Sequence, residues 1–151
     1  MFKRPKKRVV IDTNVISSGI GDLERPQLDA VVVADLSREH IYTKEVDDEL
    51  SNAGKRKSVC RHNPFFIYNI GVYRFIKRFH MVDNKIDHSN EPDNPAKNRD
   101  KKIFRAAVWA KADAIITLDK KFRRRTDGFM GMHLIRPDEY LKSKKSRNRV
   151  K

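Results

Sequence analysis

The sequence predicts an α/β domain built on a parallel sheet, and three observations carry that prediction. Short continuous Val/Ile runs, Arg8–Ile11 and Ala114–Thr117, read as strands buried on both faces. Segments with helical apolar spacing lie between the candidate strands, and strands alternating with helices give a parallel sheet covered on both sides. The length, 151 residues, suits one domain with its own core.

The elements follow in order. Residues 1–7 read as a basic flexible arm, and the first strand is 8–11. Thr13 to Ile20 starts a helix that ends at Gly19 or Gly21. Pro26 suits a helical first turn, with Leu28, Val31, Val32, Asp35 and Leu36 following at helical spacing. A second strand is expected at 40–43 and a helix at 44–52, weakened by Gly54 and the basic run 55–57. Asn63 and Pro64 are a helix start, Asn as the cap and Pro in the first turn. That helix carries Phe65, Phe66, Tyr68, Ile70, Tyr73 and Phe75. Phe79 to Val82 reads as a third strand. Residues 83–98, polar and holding Pro92 and Pro95, read as a long loop of the kind that is functional or mobile. Asp100 opens a helix through Ala110. A fourth strand is expected at 114–117, a fifth at 132–135, and a short last helix at 137–141. The domain is thus 8–141, and 142–151 reads as a second basic flexible tail.

Composition narrows the function. The chain is 38% hydrophobic and 36% charged, with a net charge of +14. Its charge is uneven: five basic residues lie in 2–8 and six in 142–151, with no acid in either stretch. The remaining 23 basic residues face 20 acidic ones. Basic tails of this kind bind phosphate backbones by releasing counterions. No stretch approaches the ~18 apolar residues of a membrane span, and the N-terminal apolar run is too short for a signal peptide. Cys60 is the only cysteine, which excludes an intrachain disulfide and a Cys-based zinc site and makes a reducing cytoplasm the expected compartment. The five histidines are scattered and suggest no metal site. Neither a phosphate-binding Gly-rich loop nor a Gly-x-Ser-x-Gly elbow is present.

Against that basic background, carboxylates mark the chemistry. Asp12 ends the first strand, and Asp119 lies just past the fourth. In an open α/β sheet, ligands bind beyond the carboxyl ends of the strands. Asp100 sits one turn before Ile103, Phe104 and Ala107, at the start of a helix that leads back into a strand, so it reaches the same rim. The segment KEVDDEL is ambiguous. With Val46 and Leu50 inward, Asp48 points away, but Asp47 and Glu49 both flank the apolar stripe. Carboxylates converging at one rim repel one another unless a cation lies between them. All-oxygen donors suit Mg²⁺ or Mn²⁺, which activate water and clamp a phosphodiester oxygen.

The residues at this point resemble the PIN-domain ribonucleases, across nearly all of 8–141. VVIDTNVI resembles the family's first strand and its metal-binding Asp, here Asp12, with Asn14 beside it. TKEVDDEL resembles the second motif, and the resemblance selects Glu49. DKKIFRAAVWAKADAIITLDKKF resembles the third and fourth motifs, giving Asp100 and Asp119, with Thr117 as the small polar residue before the last acid. IRPDEYL resembles the closing strand and helix. The resemblance implies a three-layer α/β/α domain with a central parallel sheet of about five strands. It implies an endoribonuclease that uses Mg²⁺ or Mn²⁺ held by Asp12, Glu49, Asp100 and Asp119, with Asn14 and Thr117 in support, and products with 5′-phosphate and 3′-hydroxyl ends. It often implies a homodimer. Many bacterial and archaeal members are VapC-type toxins held by an antitoxin protein, and others are housekeeping RNA-processing enzymes; both remain open here. One departure is Lys121, where many members carry another acid, which implies one firmly held ion and a second only with substrate. Lys120, Lys121, Arg123, Arg124 and Arg125 are then expected to grip the RNA backbone.

Two rival classes are weighed beside this. A haloacid-dehalogenase-type phosphatase also starts with a strand-end Asp but needs an acid two residues on, where Asn14 stands. A catalytically inactive RNA-binding scaffold of the same fold would not need all four acids.

Overall fold

A computed structural model describes residues 7–53, 63–83, 96 and 99–149. The architecture is α/β, with a four-stranded, all-parallel sheet and seven α-helices among the described residues. The strands are β1 (Val9–Ile11), β2 (His40–Ile41), β3 (Ala114–Ile116) and β4 (His133–Ile135), in the spatial order β2-β1-β3-β4. The two central strands are buried along their whole length. Alternate residues of a strand face opposite sides of the sheet, so burial of every residue means that both faces are covered.

The helices are α1 (Thr13–Ile16), which runs on as a π-turn over Ser17–Gly21, then α2 (Gln27–Leu36), α3 (Lys44–Ala53), α4 (Phe66–Lys77), α5 (Arg99–Trp109), α6 (Lys120–Thr126) and α7 (Pro137–Arg149). The core joins the strands to Ile16, Val31, Leu50, Ile70, Phe104 and Tyr140, all buried. α7 packs on α2, while α3 packs on α4 and α5. No helix among the described residues is long and apolar enough to cross a membrane.

Three elements differ from the sequence reading. The sheet has four strands, not five, because residues 79–82 do not form one. Helix α4 winds on through a 3-10 turn, Arg78–His80, and only Val82 reaches the sheet, as a single parallel bridge to Thr43. Lys120–Thr126, noted only for charge, is a helix: Asp119 caps it and Phe122 anchors it in the core. The last helix extends through Arg149 into residues expected to be tail. Nothing in KSKKSRNR breaks a helix, and acids in its first turn with bases beyond suit the helix dipole. Residues 1–6, Cys60 and most of the expected 83–98 loop lie outside the described residues.

Two linked polar networks fasten α4 to the body. Asp35 of α2 accepts from Tyr73 Oη at 2.9 Å, from Lys77 Nζ at 2.6 Å, and bonds His40 Nδ1 at 2.7 Å. Burial alone would raise the Asp35 carboxyl, but bonds and charge from His40 and Lys77 win and hold it down to about 2. Burial pushes the His40 imidazole below its ordinary value. Beside it, Asp47 of α3 accepts from Tyr42 Oη at 2.7 Å and from Arg74 Nε at 3.0 Å.

A close approach sets the entry to α2. A Cβ on Gly19 would lie 2.7 Å from the backbone nitrogen of Leu28, a contact that only backbone movement relieves. Gly19→Ala is therefore expected to cost about 1–3 kcal/mol, as overpacking does, read as a lowered urea midpoint with an unchanged slope.

Candidate functional site

β1 and β3 pair in parallel with Ile11 opposite Ile116. Both strands therefore release their next residues at one rim. The Asp12 amide donates to the Ile116 carbonyl at 2.8 Å, which keeps the backbones together one residue beyond the strands. The buried Asp12 carboxylate accepts from Thr117 Oγ1 at 2.7 Å and from the Thr13 amide at 2.7 Å. Thr117 is fully buried. Its hydroxyl gives its one proton to Asp12 and accepts from the Asp119 amide at 3.1 Å and from Asn14 Nδ2 at 3.4 Å. Asn14 Oδ1 accepts in turn from the Leu118 amide at 3.3 Å. One hydroxyl thus couples the segments that carry Asp12 and Asp119.

Asp119 caps α6. Its Oδ1 accepts from the amides of Lys121 at 2.9 Å and Phe122 at 3.1 Å, so orphan helix donators hold the carboxylate in place. On α3, Val46 and Leu50 are buried and Asp48 is exposed. The two acids that the helical wheel left together part company here. Asp47 turns to Tyr42 and Arg74, whereas Glu49 Oε2 accepts from Thr13 Oγ1 at 2.6 Å. Asp100 lies in the first turn of α5.

Asp12, Glu49, Asp100 and Asp119 line a single cavity of about 660 Å³, together with Arg99 and Arg125. The carboxylates affect one another. Burial first, then the charges of Glu49 and Asp100, push the Asp12 carboxyl up to about 7, against the hydrogen bond from Thr117. Burial, then Asp119 and Glu49, push Asp100 up to about 6, while Arg125 and Arg99 pull the other way. The cavity concentrates negative charge within a basic chain.

No family model matches the chain, and no curated protein matches it.

Among the described residues, no three His, Cys, Asp or Glu side chains form a ready-made ion-binding group. The four acids instead reach the cavity from four separate segments. Their chemistry fits a hard divalent cation: every candidate donor is oxygen, and positive charge would relieve the repulsion that raises Asp12 and Asp100.

Two features had little signal in the sequence. Thr13 positions Glu49, yet between Asp12 and Asn14 it reads only as a small helix-start residue. The five basic residues after Asp119 also divide. Lys120, Lys121 and Arg124 are exposed, Arg125 lines the cavity, and Arg123 Nη1 donates to the Thr117 carbonyl at 3.0 Å.

The raised carboxyls make stability depend on pH with an unusual sign. Between the ordinary 3.8 and about 7, the folded protein keeps a proton on Asp12 that the unfolded chain releases. Binding more protons in the folded state means that stability falls as pH rises through that window. Thermal melts in EDTA should show this fall, and Asp12→Asn should remove most of its slope. Excess Mn²⁺ should restore the wild-type melting temperature near neutral pH.

Proposed function

We propose that the protein is a divalent-metal-dependent endoribonuclease of the PIN type, a three-layer α/β/α domain that hydrolyses RNA phosphodiester bonds. The observation that carries this reading is the arrival of four carboxylates, from four separate segments, at one cavity of a chain whose net charge is +14. Core packing gives no reason to gather acids there, since it raises the pKa of two of them. A cation and a polyanion together give one: the acids take the cation and the surrounding bases take the phosphates.

Asp12, Glu49, Asp100 and Asp119 would hold Mg²⁺ or Mn²⁺. When bound, such an ion supplies Lewis acidity toward a phosphodiester and a nucleophilic water at neutral pH. The chain's own residues do the rest. Thr117 and the Thr13 amide hold Asp12, Thr13 Oγ1 holds Glu49, and the first amides of α6 hold Asp119. Fixed ligands need no reorganisation when the substrate arrives, which is where much of a rate enhancement originates. Arg99 and Arg125 stand on the cavity wall, positioned for phosphate oxygens, and Lys120, Lys121 and Arg124 extend that positive surface along α6.

The test is incubation with a panel of RNAs in Mg²⁺, Mn²⁺ or EDTA, with sequencing of product ends. Cleavage is expected only with metal, leaving 5′-phosphate and 3′-hydroxyl ends. Asp12→Asn and Asp119→Asn should each lower the rate by about 10²-fold or more while the protein stays folded. Thr117→Val should lower it by about 10- to 100-fold, as loss of a residue that orients a ligand does. Full activity in both Asp variants would sink the proposal, and metal-independent RNA binding without cleavage would mark a scaffold. Growth arrest on expression, relieved by Asp119→Asn, would identify a toxin in need of an antitoxin. Its absence would favour RNA processing.

A further inference from the structure

The cavity is larger than an ion needs. Its volume of about 660 Å³ would hold about twenty waters at roughly 30 Å³ each. A divalent ion with about six oxygen ligands takes roughly a third of that, so space remains beside the four carboxylates. A fifth acid, Asp22, lines the same cavity. Four α-helical residues and five of the π-turn separate it from Asp12. At about 1.5 Å per residue they carry the chain on the order of 13 Å from that end of the site. The carboxylate charges that raise Asp12 and Asp100 belong to the group of four.

Asp22 is nonetheless held in place. Asn63 Nδ2 donates to its Oδ1 at 3.2 Å and to the Gly21 carbonyl at 3.0 Å, and Asn69 Nδ2 donates to that carbonyl at 3.1 Å. The Asp22 amide donates to the Ser17 carbonyl at 3.2 Å. Asn63 also reaches the other way, where its Oδ1 accepts from the Phe65 amide at 3.0 Å. One asparagine thus fastens the Asp22 carboxylate beside the start of α4. Phe66 turns into the cavity wall, packed so closely on Gly21 that a Cβ there would overlap its ring. Phe65 turns the other way. Its ring is 68% exposed, and it heads the apolar stripe that α4 presents outward through Tyr68, Val72 and Phe75. Leu23, next to Asp22, is exposed and held at φ 59°, a left-handed conformation uncommon outside glycine. Strain of this kind collects at ligand sites.

The mouth of the cavity therefore offers a ring face and a fixed carboxylate. A carboxylate opposes a polyanion unless it meets a hydrogen-bond donor. Phosphates carry none, and base edges do. Single-stranded RNA is read in this way, with an aromatic ring on the face of a base and a polar group on its edge. The edge identifies the base. A carboxylate only accepts, and Oδ1 keeps a second lone pair beside its bond from Asn63. Guanine sets two N–H groups, on N1 and N2, side by side, one for each carboxylate oxygen. Adenine and cytosine set one N–H beside an unprotonated ring nitrogen, and uracil sets its N–H between two carbonyls, all of which a carboxylate repels. Ser17, on the same wall, has a hydroxyl for the O6 acceptor of guanine.

We propose that Asp22, Ser17 and Phe65 form a nucleobase subsite that selects guanine in single-stranded RNA near the cleaved bond, which rests on the ribonuclease reading for its substrate class. The subsite adds a base preference that metal and phosphate contacts do not supply.

The test uses the full chain and labelled single-stranded oligouridylates that carry one central guanine, inosine, adenine or cytosine. Binding is followed by fluorescence anisotropy in EDTA at one salt concentration, since affinity depends on salt, and initial cleavage rates are followed in Mn²⁺. The guanine RNA is expected to bind about 10- to 100-fold tighter than the adenine RNA, the range of a bidentate base contact. Inosine, which lacks the N2 amine, should fall between them, and cleavage rates should rank in the same order. Asp22→Ala should bring the guanine RNA down to the level of the adenine RNA. Phe65→Ala should weaken all four by about 10-fold or more, the effect of losing a stacking ring, and keep their order. Equal affinities and equal rates for the four RNAs overturn the proposal, while metal-dependent cleavage leaves the ribonuclease reading standing. A guanine preference that survives Asp22→Ala overturns it too, by placing the base contact elsewhere. An equal loss for every RNA in Asp22→Ala, with a higher Mn²⁺ requirement, overturns it by placing Asp22 among the metal ligands. A wild-type chain that neither binds nor cleaves RNA overturns both readings.

Discussion

The in-register pairing of β1 with β3 is the constraint on which the rest of the site depends. Because Ile11 lies opposite Ile116, the next residues, Asp12 and Thr117, leave the sheet side by side. Their direct bond of 2.7 Å follows from that placement. A slip of one residue would set the two side chains on opposite faces of the sheet and dissolve the pair. From this pair the site grows outward. Thr117 leads to the Asp119 amide, Asp119 to the start of α6, and Thr13, the residue after Asp12, to Glu49 on α3. Asp100 reaches the same cavity from the first turn of α5.

This arrangement sets the site against the stability of the fold. A carboxylate buried near two others is a poor stabiliser, and the raised pKa of Asp12 measures the conflict. Asp35 shows the opposite solution. It is also partly buried, but His40 and Lys77 supply bonds and positive charge, and its pKa falls. The contrast separates two uses of a buried acid within one chain. Asp35 has cationic partners in the fold and fastens α4, whereas Asp12 accepts from Thr117 and Thr13 with the carboxylates Glu49 and Asp100 nearby. Groups left in electrostatic conflict are where function is expected, because consistency elsewhere in the fold has to offset them.

Much of the architecture was legible because buried parallel strands leave a plain signature. The runs at 9–11 and 114–116 are apolar throughout, and both are buried throughout. Asp12, Asp100 and Asp119 were placed at one rim by strand ends and helix starts alone, and all three line one cavity. Glu49 could not be separated from Asp47 by helical periodicity, because the two flank the same apolar stripe. What divides them is tertiary: Arg74 and Tyr42 claim one, and Thr13 claims the other. Helix α6 escaped detection because a seven-residue helix with one core anchor has no periodicity to read. Its N-cap, Asp119, is a carboxylate whose sequence position fits a metal ligand as well as a helix cap.

The misread strand at 79–82 and the inverted helix before it have one cause. Apolar patterning reports what avoids water, not what covers it. Phe65 to Phe79 looks like core because its aromatic density is that of a core, and Phe79 beside Met81 and Val82 looks like a strand for the same reason. In the fold, the ion pairs of Arg74 and Lys77 take the inner face of α4 and turn those aromatics outward. Ion pairing, together with the burial of Phe66 and Ile70, fixes how this helix is rotated. Two ion-pair networks and a stack of edge-on rings, His40 on Tyr42 and Tyr42 on Tyr73, would have to be rebuilt to bury the stripe within the same chain. The apolar face is thus held outward by the polar contacts of the inner face.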